Sequence, residues 1–340
     1  MTTRTLLRGV LAFVLAGYGV FLVGCLLLRW FVGERRVVVA LLNNNLHLLL
    51  FPALILLPLC LLLRLRRVAL LYALPVGFFA WNFAPYFLPH TLPSLPPDTQ
   101  QISILTYNLQ AEEALLDPMA AVIREADTEI VALQEMSGAA ARHFERSLAD
   151  AYPYRVFYPE PAGGAYHGRG LLSRYPLIEN HFWPVTYPIP VRLQRAVLDV
   201  NGTPVTLFNF HAPPTQPIYG GGNDPRPRAQ QINDLLALAA DADGALLLTG
   251  DFNTSDLDES YAAITARYRD AFREVGWGFG FTNPDWQHDN PRRGASWVPM
   301  YQRIDYVFYS AHFAAVEARV WSSSGGSDHR PLWVRLGLIG

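Results

Sequence analysis

The sequence predicts an α+β domain of packed sheets and outer helices behind an N-terminal module of about three transmembrane helices. Three observations carry this reading. Long uncharged runs are confined to residues 1–97. Beyond them, apolar stretches shorten to strand length and alternate with segments of helical spacing. The charges divide at the same point: residues 1–97 hold 8 Arg against one acid, Glu34, for a net +7, and residues 98–340 hold 19 Arg against 28 acids, for −9.

Residues 9–28 form an uncharged run of 20, long enough to cross a hydrocarbon core of about 30 Å as a helix. A second run spans 46–63 and can be extended back to Val37 past Asn43, Asn44 and Asn45. The third, 68–88, carries Trp81 and Tyr86 as interfacial aromatics and is interrupted by Pro75, Asn82 and Pro85. With the N-terminus inside, Arg4, Arg8, Arg64, Arg66 and Arg67 lie on the cytoplasmic side and Arg29, Arg35 and Arg36 on the other. That bias places residue 98 onward outside the cytoplasm. Leu22-Val23-Gly24-Cys25 reads like a lipobox, but the apolar run continues through Leu28 and further spans follow, so Cys25 is read as a small residue within a helix. The membrane module is assigned to 1–91 and a stiff Pro-rich linker to 92–99. Residues 100–340 form one further domain, large enough for a single core.

In that domain, residues 102–107, 130–134, 205–210 and 245–250 have the length of strands, and each runs into a polar residue: Asn108, Glu135, His211 and Asp251. A fifth run reaches Phe308 through Asp305. Residues 118–126, 139–148, 228–240 and 257–268 have helical spacing. Composition limits the chemistry. An acidic domain is a poor candidate for gripping nucleic acid by charge alone, since such binding rests on counterion release. The two cysteines, Cys25 and Cys60, lie in apolar runs, which excludes a disulfide framework or a thiolate metal site.

The polar strand ends form the candidate site: Asn108, Glu135, His211, Asp251 with Asn253, Asp305, and Asp328-His329. Side chains two apart on an extended chain share a face, so Asp251 and Asn253 can enter one cavity. Oxygen donors with few imidazoles suit Mg²⁺, or Mn²⁺, rather than zinc.

Taken in order, Tyr107-Asn108, Leu133-Gln134-Glu135, Gly170-Leu171-Leu172-Ser173-Arg174-Tyr175-Pro176, Phe210-His211, Gly250-Asp251-Phe252-Asn253, Arg303-Ile304-Asp305-Tyr306 and Ser327-Asp328-His329-Arg330-Pro331-Leu332 resemble the motifs of the endonuclease/exonuclease/phosphatase superfamily, the deoxyribonuclease-I-like proteins. The resemblance spans residues 101–337. It implies a four-layer αββα sandwich with the site at one edge, and it implies roles. Glu135 would bind the divalent metal, with Asn108 and Asp328 near it. Asp251 and Asn253 would hold the attacking water and the phosphate. His329, oriented by Asp305, would act as base or transition-state stabiliser, and His211 would serve the leaving group or a phosphate oxygen. Many relatives have Gly-Asn-Ala where this chain has Gly168-Arg169-Gly170, which makes Arg169 a candidate substrate contact. Arg292 with Arg293 is a second candidate, since Arg binds phosphate bidentately.

Chemistry independent of the resemblance points the same way. Phosphodiester hydrolysis develops negative charge on the phosphoryl oxygens, which a divalent ion offsets while it lowers the pKa of water. A carboxylate on the far nitrogen of an imidazole fixes its tautomer and raises its basicity. Singly, each residue has an ordinary reading: Asn108 as a turn residue, Glu135 as a helix cap, His211 as a half-buried histidine, Asp251 to Asn253 as an Asx-turn. Jointly, that reading needs seven coincidences in order. Arg192 with Arg195 and Arg226 with Arg228 are read as solvated faces, and Gly220-Gly221-Gly222, which lacks the helix-initiating spacing of a phosphate loop, as a flexible loop.

The sequence thus predicts a membrane-anchored, Mg²⁺-dependent hydrolase of phosphoester bonds in the plasma (inner) membrane, its catalytic domain extracytoplasmic. The substrate would be a nucleic acid or, alternatively, a phospholipid head group, as in a sphingomyelinase or phosphoinositide phosphodiesterase. The partners are that substrate and the bilayer, with no obligate protein partner. A non-catalytic membrane scaffold is the third alternative.

Overall fold

The computed structural model describes residues 3–34, 36–91, 93–159, 168–187, 189–214, 224–285 and 299–339. Arg292, Arg293 and Gly220 to Gly222 lie outside the described residues. The chain divides into two compact units, one running to Leu88 and the other comprising Pro89–Pro214 and Arg226–Gly340.

In the first unit, helices α1 (Thr3–Val32), α2 (Val37–Leu62) and α3 (Arg66–Phe83) are long and apolar enough to cross a membrane. Helix α2 begins at Val37, so Asn43, Asn44 and Asn45 lie inside it. Helix α3 continues through Pro75, and a 3₁₀ turn (Ala84–Phe87) follows. Asn43 is buried and explains why a polar residue is tolerated there: it accepts from Arg29 Nε at 2.8 Å and donates to Glu34 Oε1 at 2.5 Å. Tyr18 and Tyr72 donate to the backbone of Leu49 and Leu15 at 2.7 and 2.6 Å, joining the helices by directional bonds.

The second unit has two six-stranded sheets. The strands are β1 (Gln101–Asn108), β2 (Ile130–Gln134), β3 (Tyr154–Tyr158), β4 (Arg169–Ser173), β5 (Leu177–Tyr187), β6 (Ile189–Val200), β7 (Thr203–His211), β8 (Ala245–Asp251), β9 (Arg269–Asp270), β10 (Asp305–Tyr309), β11 (Phe313–Val320) and β12 (Leu332–Leu338). One sheet has the order β11-β12-β1-β2-β4-β3, the other β5-β6-β7-β8-β10-β9. Each contains one parallel pair, β1 with β2 and β7 with β8. Parallel neighbours need a crossover, and helices α4 (Leu116–Ala126) and α6 (Arg226–Ala240) supply it. Helices α5 (Gly138–Ser147), α7 (Glu259–Thr265) and α8 (Ala271–Val275) complete the set.

Alternation along the strands sorts the side chains into layers. Ile102, Ile104, Ile130 and Leu171 meet Leu198, Leu207, Leu247 and Val307 between the sheets. Leu105, Tyr107, Val131 and Leu133 pack with Met119, Ile123 and Phe144 of α4 and α5, while Phe208, Phe210, Leu246 and Leu248 pack with Ile232, Leu235 and Ile264 of α6 and α7. The result is the deoxyribonuclease-I-like α+β sandwich.

Asp256, on the segment after β8, is gripped by two arginines. Arg303 donates to its Oδ1 from Nε at 3.0 Å, and Arg273 to its Oδ2 from Nε at 2.8 Å. Arg303 also reaches Asp270 at 2.7 Å and lies 4.4 Å from the Tyr306 ring centroid. Burial pushes the Asp256 carboxyl up, but Arg273 and Arg303 outweigh it and hold the group at about 2. An aspartate free in an unfolded chain titrates near ~3.9. The folded-state value is therefore depressed, so the stabilisation is fully present above about pH 4 and is lost as pH falls through about 2. Asp256→Asn is expected to destabilise the fold by about 3 kcal/mol at neutral pH, since it removes the carboxylate that Arg273 and Arg303 share, while Asp270 still faces Arg303. Urea unfolding of the full chain in detergent measures this, and the deficit shrinks on acidification towards pH 2.

Candidate active site

The face shared by the two sheets is apolar over most of its length and turns polar at one edge. Asn108 continues the parity of Ile104, His211 that of Leu207, Asp251 that of Leu247, and Asp305 that of Val307, so all four point between the sheets. Register then aligns them. His211 pairs opposite Asp251 across β7 and β8, and Asp251 opposite Asp305 across β8 and β10. The other sheet contributes Asn108 at the end of β1, Glu135 just after β2, and Asp328 with His329 before β12. Gly250 permits the close approach of β7 and β8: its φ is +136°, and a Cβ there would lie 1.8 Å from the Phe210 carbonyl oxygen.

Contacts within the crevice are short and specific. Asn108 Nδ2 donates to Glu135 Oε1 and to Asp251 Oδ2, both at 3.0 Å, bridging carboxylates from different sheets. His329 Nδ1 lies 2.8 Å from Asp305 Oδ2, while its Nε2 faces Asp251 Oδ2 at 3.8 Å and Asp328 Oδ1 at 3.9 Å. His211 Nε2 is 3.6 Å from both Glu135 Oε1 and Asp251 Oδ2. The Ser327 hydroxyl donates to the Asn108 carbonyl at 2.7 Å and accepts from His329 N at 3.1 Å, tying the last loop to β1. Glu135 holds a left-handed backbone at φ 52°, unusual for a residue with a side chain.

Electrostatics follow from burial. Desolvation lifts the Glu135 carboxyl to about 7, against the Asn108 hydrogen bond. Asp251 is raised as well, by desolvation and then by Asp305. For His329 burial acts downwards, but Asp305 outweighs it and moves the imidazole well above its ordinary range. Acids crowded in a dry crevice retain protons unless a cation replaces them.

Donor atoms of Glu135, His211 and Asp251 lie within 4.8 Å of one another, as do those of Asp251, Asp305 and His329. Glu135 Oε2 and Asp305 Oδ1 are buried without a hydrogen-bond partner among the described residues. A hard-oxygen set with imidazole at its edge, holding such oxygens, fits a divalent cation. Asp328 falls in neither cluster among the described residues, although its charge also raises the Glu135 carboxyl.

Other placements differ from expectation. Asn253 does not share an extended face with Asp251. The chain turns at φ 47°, its N–H bonds Asp251 Oδ1 at 2.9 Å, and its amide donates to the Ala212 carbonyl at 2.9 Å. Arg169 is wholly buried rather than presented to substrate, donating to the backbone oxygens of Gly168 at 2.8 Å and His211 at 3.5 Å. Arg228 is not a solvated residue: it is buried and pairs with Asp258 at 3.1 Å. Asp285 is buried against Arg330 at 2.9 Å. Sequence reasoning gave no role to Gln134, Asn209 or Arg303. The available signal was a polar side chain inside an apolar strand, or next to one.

Comparison with known proteins yields the following. The Endonuclease/Exonuclease/phosphatase family matches residues 105–329. No match is found among the curated proteins. Similar solved structures include a conserved protein of unknown function from Enterococcus faecalis V583 (17% identity, TM-score 0.57, covering 70% of this chain and 100% of that one). They also include an endonuclease/exonuclease/phosphatase from Bacteroides vulgatus (18%, 0.56, 70% and 99%) and truncated TDP2 from Caenorhabditis elegans (17%, 0.57, 70% and 98%). At these identities the shared property is the fold.

A cation displacing the Glu135 proton must bind more weakly as pH falls below about 7. Mn²⁺ titration of the full chain in detergent, read by electron paramagnetic resonance, is expected to lose about tenfold in affinity per pH unit on that side for one proton displaced. A flat profile would exclude Glu135 as a ligand.

Proposed function

The chain belongs to the endonuclease/exonuclease/phosphatase family, and from that premise we propose that it is a membrane-anchored, Mg²⁺-dependent phosphodiesterase of the nuclease type. The observation that carries this reading is the His329–Asp305 pair at 2.8 Å, set in the same crevice as the donor atoms of Glu135, His211 and Asp251.

Glu135, Asp251 and His211 would hold the ion, which when bound supplies electrostatic stabilisation of the phosphoryl oxygens and acidifies water. Asp305 fixes His329 with Nδ1 towards the carboxylate and Nε2 towards the crevice. Held as imidazolium by Asp305, His329 suits stabilisation of charge developing on a phosphoryl oxygen or delivery of a proton to the leaving oxygen. His211 would reach the ion through Nε2, which faces both Glu135 and Asp251 at 3.6 Å. Asn108 shares its amide between two carboxylates and keeps them from moving apart.

A phospholipid head group is the second reading for the substrate. It is favoured by the net −9 of residues 98–340 and by three helices able to cross a membrane, which would concentrate a lipid substrate at the site.

Two outcomes are expected. The full chain in detergent should turn over at least one of plasmid DNA, RNA, sphingomyelin or a bis-aryl phosphodiester with Mg²⁺ or Mn²⁺, and His329→Ala or Asp251→Ala should lower the rate roughly a hundred- to ten-thousand-fold. A scaffold would leave both variants at wild-type function in complementation. For topology, the second unit has no cysteine, so Trp277→Cys at an exposed position reports its side alone once Cys25 and Cys60 are replaced by serine. Labelling by a membrane-impermeant maleimide in spheroplasts is expected, and protection until lysis would place the domain in the cytoplasm.

A further inference from the structure

The candidate site is built from two sheets that no covalent bond fixes at that edge. Asn108, Glu135 and His329 come from the β1–β2–β12 side, and His211, Asp251 and Asp305 from the β7–β8–β10 side. Apolar packing between sheets is non-directional, so it sets their separation but leaves sliding along one another poorly specified. A site needs its groups held to within about half an ångström.

At the layer beneath the site the shared face carries amides instead of aliphatic side chains. Gln134 and Asn209 are fully buried, as are their neighbours Thr106 and Gln194. Gln134 Nε2, on β2, donates to Asn209 Oδ1, on β7, at 2.8 Å, and lies 3.1 Å from Thr106 Oγ1. Asn209 Nδ2 crosses back to the opposite sheet, to the carbonyl oxygens of Leu133 and Gly170, both at 3.0 Å, and lies 3.1 Å from Gln194 Oε1. Gln134 immediately precedes Glu135, and Asn209 stands two residues before His211 on the same strand face. The segment that must hold Glu135 at φ 52° is pinned from both sides, by Leu109 N to the Gln134 carbonyl and Ala111 N to the Glu135 carbonyl, each at 3.0 Å.

We infer that the Gln134–Asn209 pair is a positioning element which locks the register of the two sheets and thereby sets Glu135 against His211 and Asp251. Hydrogen bonds are directional where apolar contact is not, and a buried amide pair is costly to break because both partners are left unsatisfied. Gln134 and Asn209 touch neither substrate nor ion; they act through Glu135 and His211. The kinetic part of this inference rests on the phosphodiesterase reading, whereas its structural part does not.

The test uses the full chain in detergent and the variants Gln134→Met, which keeps the length and removes the amide, and Leu207→Ala, which removes apolar contact between the same sheets. For Gln134→Met, Mn²⁺ affinity is expected to fall about 10- to 100-fold, the usual effect of losing support behind a ligand. The kcat on a bis-aryl phosphodiester should fall by a similar factor with KM within about threefold, and hydrogen exchange at the amides of Leu109, Ala111 and Met136 should accelerate without metal. Leu207→Ala should lower the melting temperature while leaving Mn²⁺ affinity and those amides near wild type. Should Gln134→Met fail to fold, Thr106→Val, which removes one partner of Gln134, is expected to show the same pattern at smaller amplitude. Wild-type affinity and exchange in Gln134→Met, or in Thr106→Val where that variant stands in, would overturn the inference, as would equal losses in Leu207→Ala. If the unmodified chain turns over no phosphodiester, the functional reading fails, while the exchange and Mn²⁺ series still decide this one.

Discussion

Glu135 and Asp251 belong to different sheets, yet each accepts a hydrogen bond from the same amide nitrogen of Asn108, at 3.0 Å. Bringing two carboxylates together out of water is unfavourable, because like charges repel and neither is hydrated. The site tolerates them through a shared neutral donor, two imidazoles at its margin and donor atoms close enough to share a cation. Much of the surrounding architecture keeps that arrangement closed. Parallel pairing aligns the strand ends, Gly250 lets β7 and β8 approach, and Ser327 ties the histidine loop to β1.

Behind the site lie charges largely withdrawn from solvent. Arg303 joins Asp256 and Asp270, and Arg228 joins Asp258. Both arginines anchor the segment that follows Asp251, Arg228 also bonding the Asn253 carbonyl at 2.5 Å. A turn carrying a strained residue persists only when its surroundings over-determine it, and Asn253 and Glu135 are both held in that way. Placing guanidinium groups under the loops gives each one several directional bonds, which a lysine could not supply in the same planar geometry.

The N-terminal unit follows the same principle on a smaller scale. Its three helices are apolar and long enough to cross a membrane, but Arg29, Asn43 and Glu34 form a hydrogen-bonded clasp, and Tyr18 and Tyr72 bond to the backbone of neighbouring helices. Directional bonds of this kind add order that apolar contact alone does not specify.

How much of this was legible depends on the range of the physics involved. Runs of apolar residues and their periods are local, so three helices long and apolar enough to cross a membrane and the α+β class could be read from the chain, and the ordered motifs brought Asn108, Glu135, His211, Asp251, Asp305 and His329 into one list. Their partners could not be read the same way. That Arg169 and Arg228 are buried, that Asn253 turns away to Ala212, and that Gln134 reaches Asn209 are consequences of which strands became neighbours. A sequence states what each side chain can donate, accept or exclude from water. Only the packing of two sheets decides which donor meets which acceptor, because the groups concerned are separated by tens to hundreds of residues along the chain, and their bonds exist only after both layers have closed over them.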